Sequence, residues 1–162
     1  MCIDNTQYTS DLNSKKDQLW MQYALILANH AKFNGEVPVG AVLVFDGYMI
    51  GSGFNCSIAN HDPTAHAEIF ALKEGGKILK NYRLKNTTLY VTLAPCIMCL
   101  GAIIHSRINR LVIGTRHTFQ KEKEYDTTYI FKKLQNKIIV DQSFFLKKCT
   151  TLITNFFKNK RH

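Results

Sequence analysis

Two short segments of the sequence carry side chains that bind metals or move protons. Residues 66–68 read His-Ala-Glu, and residues 95–99 read Pro-Cys-Ile-Met-Cys. Imidazole nitrogen and thiolate sulfur are ligands that suit zinc. The spacing therefore predicts a zinc site formed by His66, Cys96 and Cys99, with one ion per chain.

The number of ligands separates a structural zinc site from a catalytic one. Structural sites have four protein ligands, whereas catalytic sites keep one position for a water molecule, whose pKa the metal lowers to about 7. Glu68 lies two residues beyond His66 and could reach that water without binding the metal, serving as general acid and base. Hydrolytic deamination needs both a metal-activated water, which attacks an amidine-like ring carbon, and a carboxylate such as Glu68, which protonates the departing amine. The segment thus favours hydrolytic deamination.

The alternative is a purely structural metal site. His66 would then lie on a helix surface, and the cysteine pair would be completed by His61, His105 or Cys56. The combination of His-x-Glu with Pro-Cys-x-x-Cys is the signature of zinc-dependent base deaminases, which favours the catalytic interpretation.

Apolar periodicity and turn residues predict the elements that position these side chains. Both metal-binding segments begin a helix, and the positive end of a helix favours thiolate over thiol. The predicted elements are a helix over 17–31, strands over 41–45 and 48–50 joined by Asp46-Gly47, a helix over 65–74 ended by Gly75-Gly76, a strand over 87–93, a helix over 96–105, a strand over 110–114, a weak helix over 128–134, a strand over 137–140 and a C-terminal helix with the apolar stripe Phe145, Cys149, Leu152 and Phe156.

This order of elements predicts an α/β protein. A hairpin followed by alternating strands and helices favours a mixed five-stranded sheet with helices on both faces. A chain of 162 residues is typical of one domain. We expect a single domain over 17–162, preceded by a polar N-terminal extension over 1–16.

Composition limits the environment and the partners. No apolar run reaches the roughly 20 residues of a membrane span, and the N-terminus lacks the apolar core of a signal peptide, so we expect a cytoplasmic protein. Five cysteines, an odd number, also favour a reducing compartment. The net charge of +9 favours a polyanionic partner, although lysine-rich faces that merely contact water would give the same charge.

Further segments resemble a known family. They are 36–42 (EVPVGAV), Asn55, 61–68 (HDPTAHAE), 81–84 (NYRL), 88–93 (TLYVTL) and 104–108 (IHSRI). Together with the cysteine segment, they are similar to bacterial tRNA-specific adenosine deaminases of the cytidine deaminase-like superfamily. The resemblance implies a three-layer α/β/α sandwich, a homodimer, and conversion of the wobble adenosine in a tRNA anticodon stem-loop to inosine.

The same resemblance implies roles for other residues. Asn55 would hydrogen-bond the base, and the remaining substrate contacts would come from Val37, Pro38, Ala67, Arg116, His117, Phe156, Phe157, Lys158, Lys160 and Arg161. Simpler roles are an asparagine that caps its own turn and a helix end whose aromatic side chains lie in the core.

Two residues depart from the family pattern. Ala94 stands where glutamate is usual, which should weaken local hydrogen bonding but leave the zinc chemistry in place. His117 stands where aspartate is usual, which places RNA selectivity in question. Rival functions are a small-molecule base or nucleoside deaminase acting on cytosine, guanine or cytidine, and a catalytically silent RNA-binding subunit.

Overall fold

A computed structural model describes residues 5–116, 138–142 and 145–160. The predicted helix over 128–134 lies outside these residues. The elements are α1 (Asn5–Phe33), β1 (Gly40–Phe45), β2 (Tyr48–Phe54), α2 (Ser57–Asn60), α3 (Ala67–Leu79), β3 (Thr87–Leu93), α4 (Ile97–Ser106), β4 (Arg110–Thr115), β5 (Ile139–Gln142) and α5 (Leu146–Asn159). Within these ranges, no helix has the length and apolar character needed to cross a membrane.

The five strands form one mixed sheet in the order β2-β1-β3-β4-β5. β1 pairs antiparallel with β2 and β3, whereas β3, β4 and β5 run parallel. Positive φ angles at Asp46 (49°) and Gly47 (78°) close the hairpin between β1 and β2, as a two-residue turn requires. The mixed five-stranded sheet is therefore confirmed.

Helices cover both faces of the sheet because strand side chains alternate in direction. On one face, α3 and α4 pack over a large apolar cluster. On the other face, α1 packs over a smaller one. The first face includes Leu43, Leu89, Val91, Leu111 and Ile113, and the second includes Met21, Ala24, Val42, Tyr90 and Val112. The chain thus has the three-layer α/β/α arrangement that the sequence resemblance implies.

A polar network joins α1 to the parallel half of the sheet. Asp17, which is only 3% exposed, accepts two hydrogen bonds from the Arg110 guanidinium at 2.7 Å and one from the Tyr90 hydroxyl at 2.7 Å. Arg110 also donates to Asp141 at 2.6 Å. Because the buried carboxylate is fully paired, the network ties four elements together.

Two helix boundaries differ from the sequence prediction. α1 begins at Asn5 rather than at residue 17, because apolar periodicity predicts only the part of a helix whose sequence carries an apolar stripe. α3 continues to Leu79 instead of ending at Gly75-Gly76. Gly75 serves close packing: a Cβ at this position would collide with the Leu43 side chain of β1.

The C-terminal helix and a short helix complete the comparison. Cys149 and Phe156 are buried in α5 as predicted, together with Ile153, whereas Leu152 is half-buried. Phe145 precedes the helix in the left-handed conformation. The sequence analysis did not predict α2, whose four residues are too few to show a period.

Candidate active site

The three predicted metal ligands meet where α3 and α4 begin. His66 is the residue before α3, Cys96 is the residue before α4, and Cys99 lies in the first turn of α4. The Sγ atoms of Cys96 and Cys99 each lie 3.6 Å from Nδ1 of His66. Because β3 ends directly before the cysteine segment, the sheet holds the thiols beside the imidazole.

This donor set suits zinc. Two ligand atoms at tetrahedral positions, with bonds of about 2.1 Å to nitrogen and 2.3 Å to sulfur, lie about 3.6 Å apart. The observed separations agree with that value. Among the described residues, the potential metal ligands that cluster here are His66, Cys96 and Cys99, and neither His61, His105 nor Cys56 joins them. The alternative of a fourth protein ligand from those three residues is therefore not supported.

The three side chains shift one another's pKa values. The hydrogen bond from Cys99 lowers the pKa of Cys96 to about 4, and His66 lowers it further. The same contact raises the pKa of Cys99, and the Cys96 thiolate raises the pKa of His66. The neighbouring groups therefore favour the thiolate form of Cys96, and both thiols would lose their protons on binding a metal.

Glu68 lies one residue inside α3 and faces the cluster. Its side chain is 3% exposed, and burial raises its pKa to about 7, with a further contribution from the negative charge of Cys96. In the described part of the chain, its Oε2 atom has no hydrogen-bond partner. A buried carboxylate oxygen without a partner beside a three-ligand site is positioned to exchange protons with a molecule bound there.

Asn55 connects the loop after β2 to this site. Its side chain is 7% exposed, and Oδ1 accepts a hydrogen bond from the backbone N–H of Ala67 at 3.0 Å. Asn55 therefore caps α3 between His66 and Glu68, rather than capping its own turn.

The segment before β1 borders the same loop. Pro38 is buried, Val37 is half-buried, and the carbonyl of Val39 accepts a hydrogen bond from the backbone of Asn55 at 3.2 Å. The structure thus brings Val37 and Pro38 close to the Asn55 side of the site.

The other predicted substrate contacts lie farther along the chain. Arg116 is exposed after β4, while His117 and Arg161 fall outside the described residues. Ala94 is half-buried, and its N–H donates to the carbonyl of Thr115 at 2.9 Å, so the start of α4 is joined to the end of β4 through backbone atoms.

The C-terminal segment combines buried and exposed residues. Phe156 is buried and contacts Phe157, whose ring packs against the main core. Lys158 and Lys160 are exposed, and Lys160 donates to the carbonyl of Gly35 at 3.1 Å. This bond joins the end of α5 to the loop that leads to Val37.

The sequence analysis missed one residue near the site. Glu36 is 2% exposed, and its Oε1 accepts hydrogen bonds from the amides of Ile58 and Ala59 at 2.9 Å. Its position in the family-like segment 36–42 could have marked Glu36 as a candidate. Its hydrogen-bond partners could not be predicted from the sequence, because they lie 22 and 23 residues away.

Comparison with known proteins agrees with this geometry. A sequence model of the cytidine and deoxycytidylate deaminase zinc-binding region matches residues 14–115, which include the ligand cluster and Glu68. The solved guanine deaminase of Bacillus subtilis has a TM-score of 0.60 and 37% identity, covering 70% of this chain and 73% of its own. The fold and the site therefore define a zinc-dependent deaminase.

Other relatives narrow the family. The tRNA-specific adenosine deaminase of Buchnera aphidicola subsp. Baizongia pistaciae (strain Bp) is 54% identical over 146 residues, covering 90% of each chain. A solved structure from work on A-to-I editing by tRNA deaminases at the wobble position has a TM-score of 0.73 and 34% identity, covering 82% of this chain and 97% of its own. This chain belongs to the tRNA-specific adenosine deaminase family.

Proposed function

We propose that this chain hydrolyses the wobble adenosine of a tRNA anticodon stem-loop to inosine. The observation that carries the proposal is the cluster of His66, Cys96 and Cys99 with the partnerless carboxylate oxygen of Glu68 beside it. Zinc held by these three residues would activate water near neutral pH. In the net reaction, water oxygen bonds to C6 of the purine, the bond from C6 to the amine breaks, and ammonia leaves.

Glu68 carries the proton transfers. The carboxylate accepts a proton from the attacking water and delivers protons to the ring nitrogen and to the departing amine. A pKa near 7 allows the group to accept and to release a proton at neutral pH, since neither form is strongly favoured.

The base-binding side of the site is assigned to Asn55, Val37, Pro38 and Ala67. In the described part of the chain, no hydrogen bond involves the amide nitrogen of Asn55, whereas its oxygen is engaged by Ala67. That nitrogen can therefore donate to an acceptor on the edge of an unstacked base, as recognition of flipped or single-stranded bases requires.

The phosphate-binding side is assigned to basic residues that follow β4 and to basic residues at the end of α5. Lys158 and Lys160 are exposed and could neutralise RNA phosphates, and we include Arg116, His117 and Arg161 in this group. Phe156 is buried, so we assign it and Phe157 the task of holding the end of α5 in place for the lysines.

Sequencing of total tRNA tests the substrate. The purified zinc-loaded protein is incubated with tRNA that lacks inosine, and new adenosine-to-inosine changes are mapped. We expect changes confined to the wobble position. Stoichiometric zinc without any such change would contradict the proposal.

A second candidate is deamination of a free base or nucleoside, which the likeness to guanine deaminase favours. Turnover of guanine, cytosine and cytidine is therefore measured beside that of an anticodon stem-loop. The slope of tRNA affinity against salt separates the two candidates, because phosphate contacts make affinity fall steeply as salt rises. A silent RNA-binding subunit is disfavoured because Glu68 is intact.

We also propose that the chain acts in the cytoplasm as a homodimer, with residues 17–162 as one domain and one zinc ion per subunit. The support is family resemblance, together with the charge of +9 for the RNA partner. Light scattering of the zinc-loaded protein, with and without an anticodon stem-loop, measures the number of chains.

A further inference from the structure

Glu36 is a buried carboxylate outside the ligand cluster. It lies between α1 and β1, it is 2% exposed, and its Oε1 accepts two amide hydrogen bonds at 2.9 Å from Ile58 and Ala59. Those amides belong to the first turn of α2. A glutamate from a different part of the chain therefore caps this helix.

α2 depends on that cap. It has four residues, and the preceding residue, Cys56, makes no side-chain capping bond because its Sγ contacts the carbonyl of Phe54. An isolated turn of helix is unstable, and its first amides need acceptors. Bonds between amides and an ionised carboxylate are stronger than those to a neutral acceptor. Burial raises the pKa of the Cys56 thiol, and the nearby negative charge of the Glu36 carboxylate raises it further.

The segment that Glu36 fixes leads directly to the active site. Cys56 donates its N–H to the carbonyl of Ala65 at 3.0 Å, and Asn55 caps α3 through Ala67 at 3.0 Å. Ala67 lies between His66 and Glu68. Two hydrogen-bonded contacts, from Glu36 to α2 and from Asn55 to Ala67, thus connect Glu36 to the start of α3, where His66 and Glu68 lie.

We propose that Glu36 is a positioning residue for substrate binding: it holds α2 so that Asn55 keeps its orientation at the base-binding side of the site. This inference rests on the proposed deaminase function. Glu36 does not touch the reacting atoms, so its removal should affect substrate affinity more than zinc binding.

The test compares Glu36→Ala with Glu36→Gln, which keeps one oxygen able to accept both amides. Inosine formation in an anticodon stem-loop RNA gives KM and kcat, and zinc content is measured on the same samples. We expect Glu36→Ala to raise KM about ten- to a hundredfold, as a misplaced contact residue does, with zinc unchanged. Glu36→Gln should remain within about threefold of the wild type because the acceptor geometry is retained.

A matched control separates positioning from general stability. Asn109 accepts a hydrogen bond from the backbone N–H of Asn86 through its side-chain oxygen, at the starts of β3 and β4 and therefore at the opposite strand ends from the cysteine segment. Asn109→Ala should lower the melting temperature without raising KM. Amide exchange at Ile58 and Ala59 should accelerate in Glu36→Ala but not in Glu36→Gln or Asn109→Ala.

The outcomes distinguish this inference from the function on which it rests. A wild-type protein that forms no inosine would overturn the proposed function and the positioning role together. An active wild type with unchanged KM in Glu36→Ala would overturn the positioning role alone, and so would loss of zinc in that variant. If Glu36→Ala does not fold, Glu36→Asp, which withdraws the oxygen by one methylene, gives the same KM comparison.

Discussion

Glu68 is buried without a partner for one of its oxygens, which is an unfavourable state for a carboxylate. Leaving a buried acceptor unsatisfied costs about 1–3 kcal/mol, so a residue kept only for stability would not be placed this way. Active sites commonly retain such unfavourable groups because the substrate supplies the missing partner. Substitution of Glu68 is therefore the most direct test of the proposed chemistry.

The first prediction concerns this carboxylate. Glu68→Gln keeps the size of the side chain but cannot accept and return protons, so we expect kcat for inosine formation to fall by at least about a hundredfold. Zinc should remain at one ion per chain, because Glu68 is not among the clustered ligands. Single-turnover kinetics and metal analysis of the same sample provide the measurement.

Glu74→Gln is the matched control. Glu74 lies on the same helix, is exposed, and accepts a hydrogen bond from Ser52 at 2.7 Å on the β2 side. Its substitution should leave kcat within about twofold of the wild type, as expected for surface changes away from a site. Equal activity of Glu68→Gln and the wild type would remove the proton-transfer role.

At the scale of elements, we expect substitution of the two glycines of α3 to change the stability of the protein in opposite directions. Gly76→Ala should stabilise the protein by up to about 1 kcal/mol, because the new Cβ lies at an ordinary 3.5 Å from the Asn81 carbonyl and alanine favours helix. Gly75→Ala should destabilise it by about 1 kcal/mol or more, because the Cβ collides with the fully buried Leu43. Urea unfolding measures both, and stabilisation by both substitutions would show that α3 does not need this close approach to β1.

The C-terminal helix carries the prediction about RNA. Lys158→Ala should weaken tRNA binding and reduce the slope of log affinity against log salt by about one, as expected when one phosphate contact is lost. Lys147→Ala is the control, since Lys147 is exposed in the first turn of the same helix. An equal change of slope in the two variants would indicate a diffuse effect of charge, not a contact at the helix end.

At the scale of the whole molecule, the network around Asp17 makes the stability prediction. Asp17→Asn removes the carboxylate that takes two of the Arg110 hydrogen bonds and leaves Asp141 as the remaining carboxylate partner, so we expect a loss of about 1–3 kcal/mol in the free energy of unfolding. Lys16→Ala, at the exposed neighbouring position, should change the free energy of unfolding by less than about 0.5 kcal/mol. Activity per zinc-loaded folded molecule should be unchanged in both variants, because the network lies on the sheet face opposite α3 and α4.

The parts of the site that could be predicted from the sequence are formed by residues that lie close together along the chain. His66 and Glu68 are two residues apart, Cys96 and Cys99 are three apart, and helix periodicity places each pair at the start of a helix. The strands were predictable for the same reason, since alternation is a local property.

The rest depends on contacts between distant residues. Glu36 reaches Ile58 across 22 positions, and Asp17 reaches Arg110 across 93, and no local pattern encodes either distance. Gly75 was also hard to interpret from the sequence. A glycine can end a helix or let a helix approach a strand closely, and the residue type alone does not distinguish the two roles.

The separation between Asp17 and Arg110 also has a consequence for biosynthesis. Translation releases α1 and the hairpin of β1 and β2 long before β4 leaves the ribosome, so the Asp17 carboxylate emerges without its cation and α1 emerges without the Tyr90 and Val112 side chains that it covers. Domains whose essential pairings span many residues fold slowly, and their incomplete chains expose apolar surface. The nascent N-terminal half should therefore stay open to chaperones until the second half of the sheet has been translated.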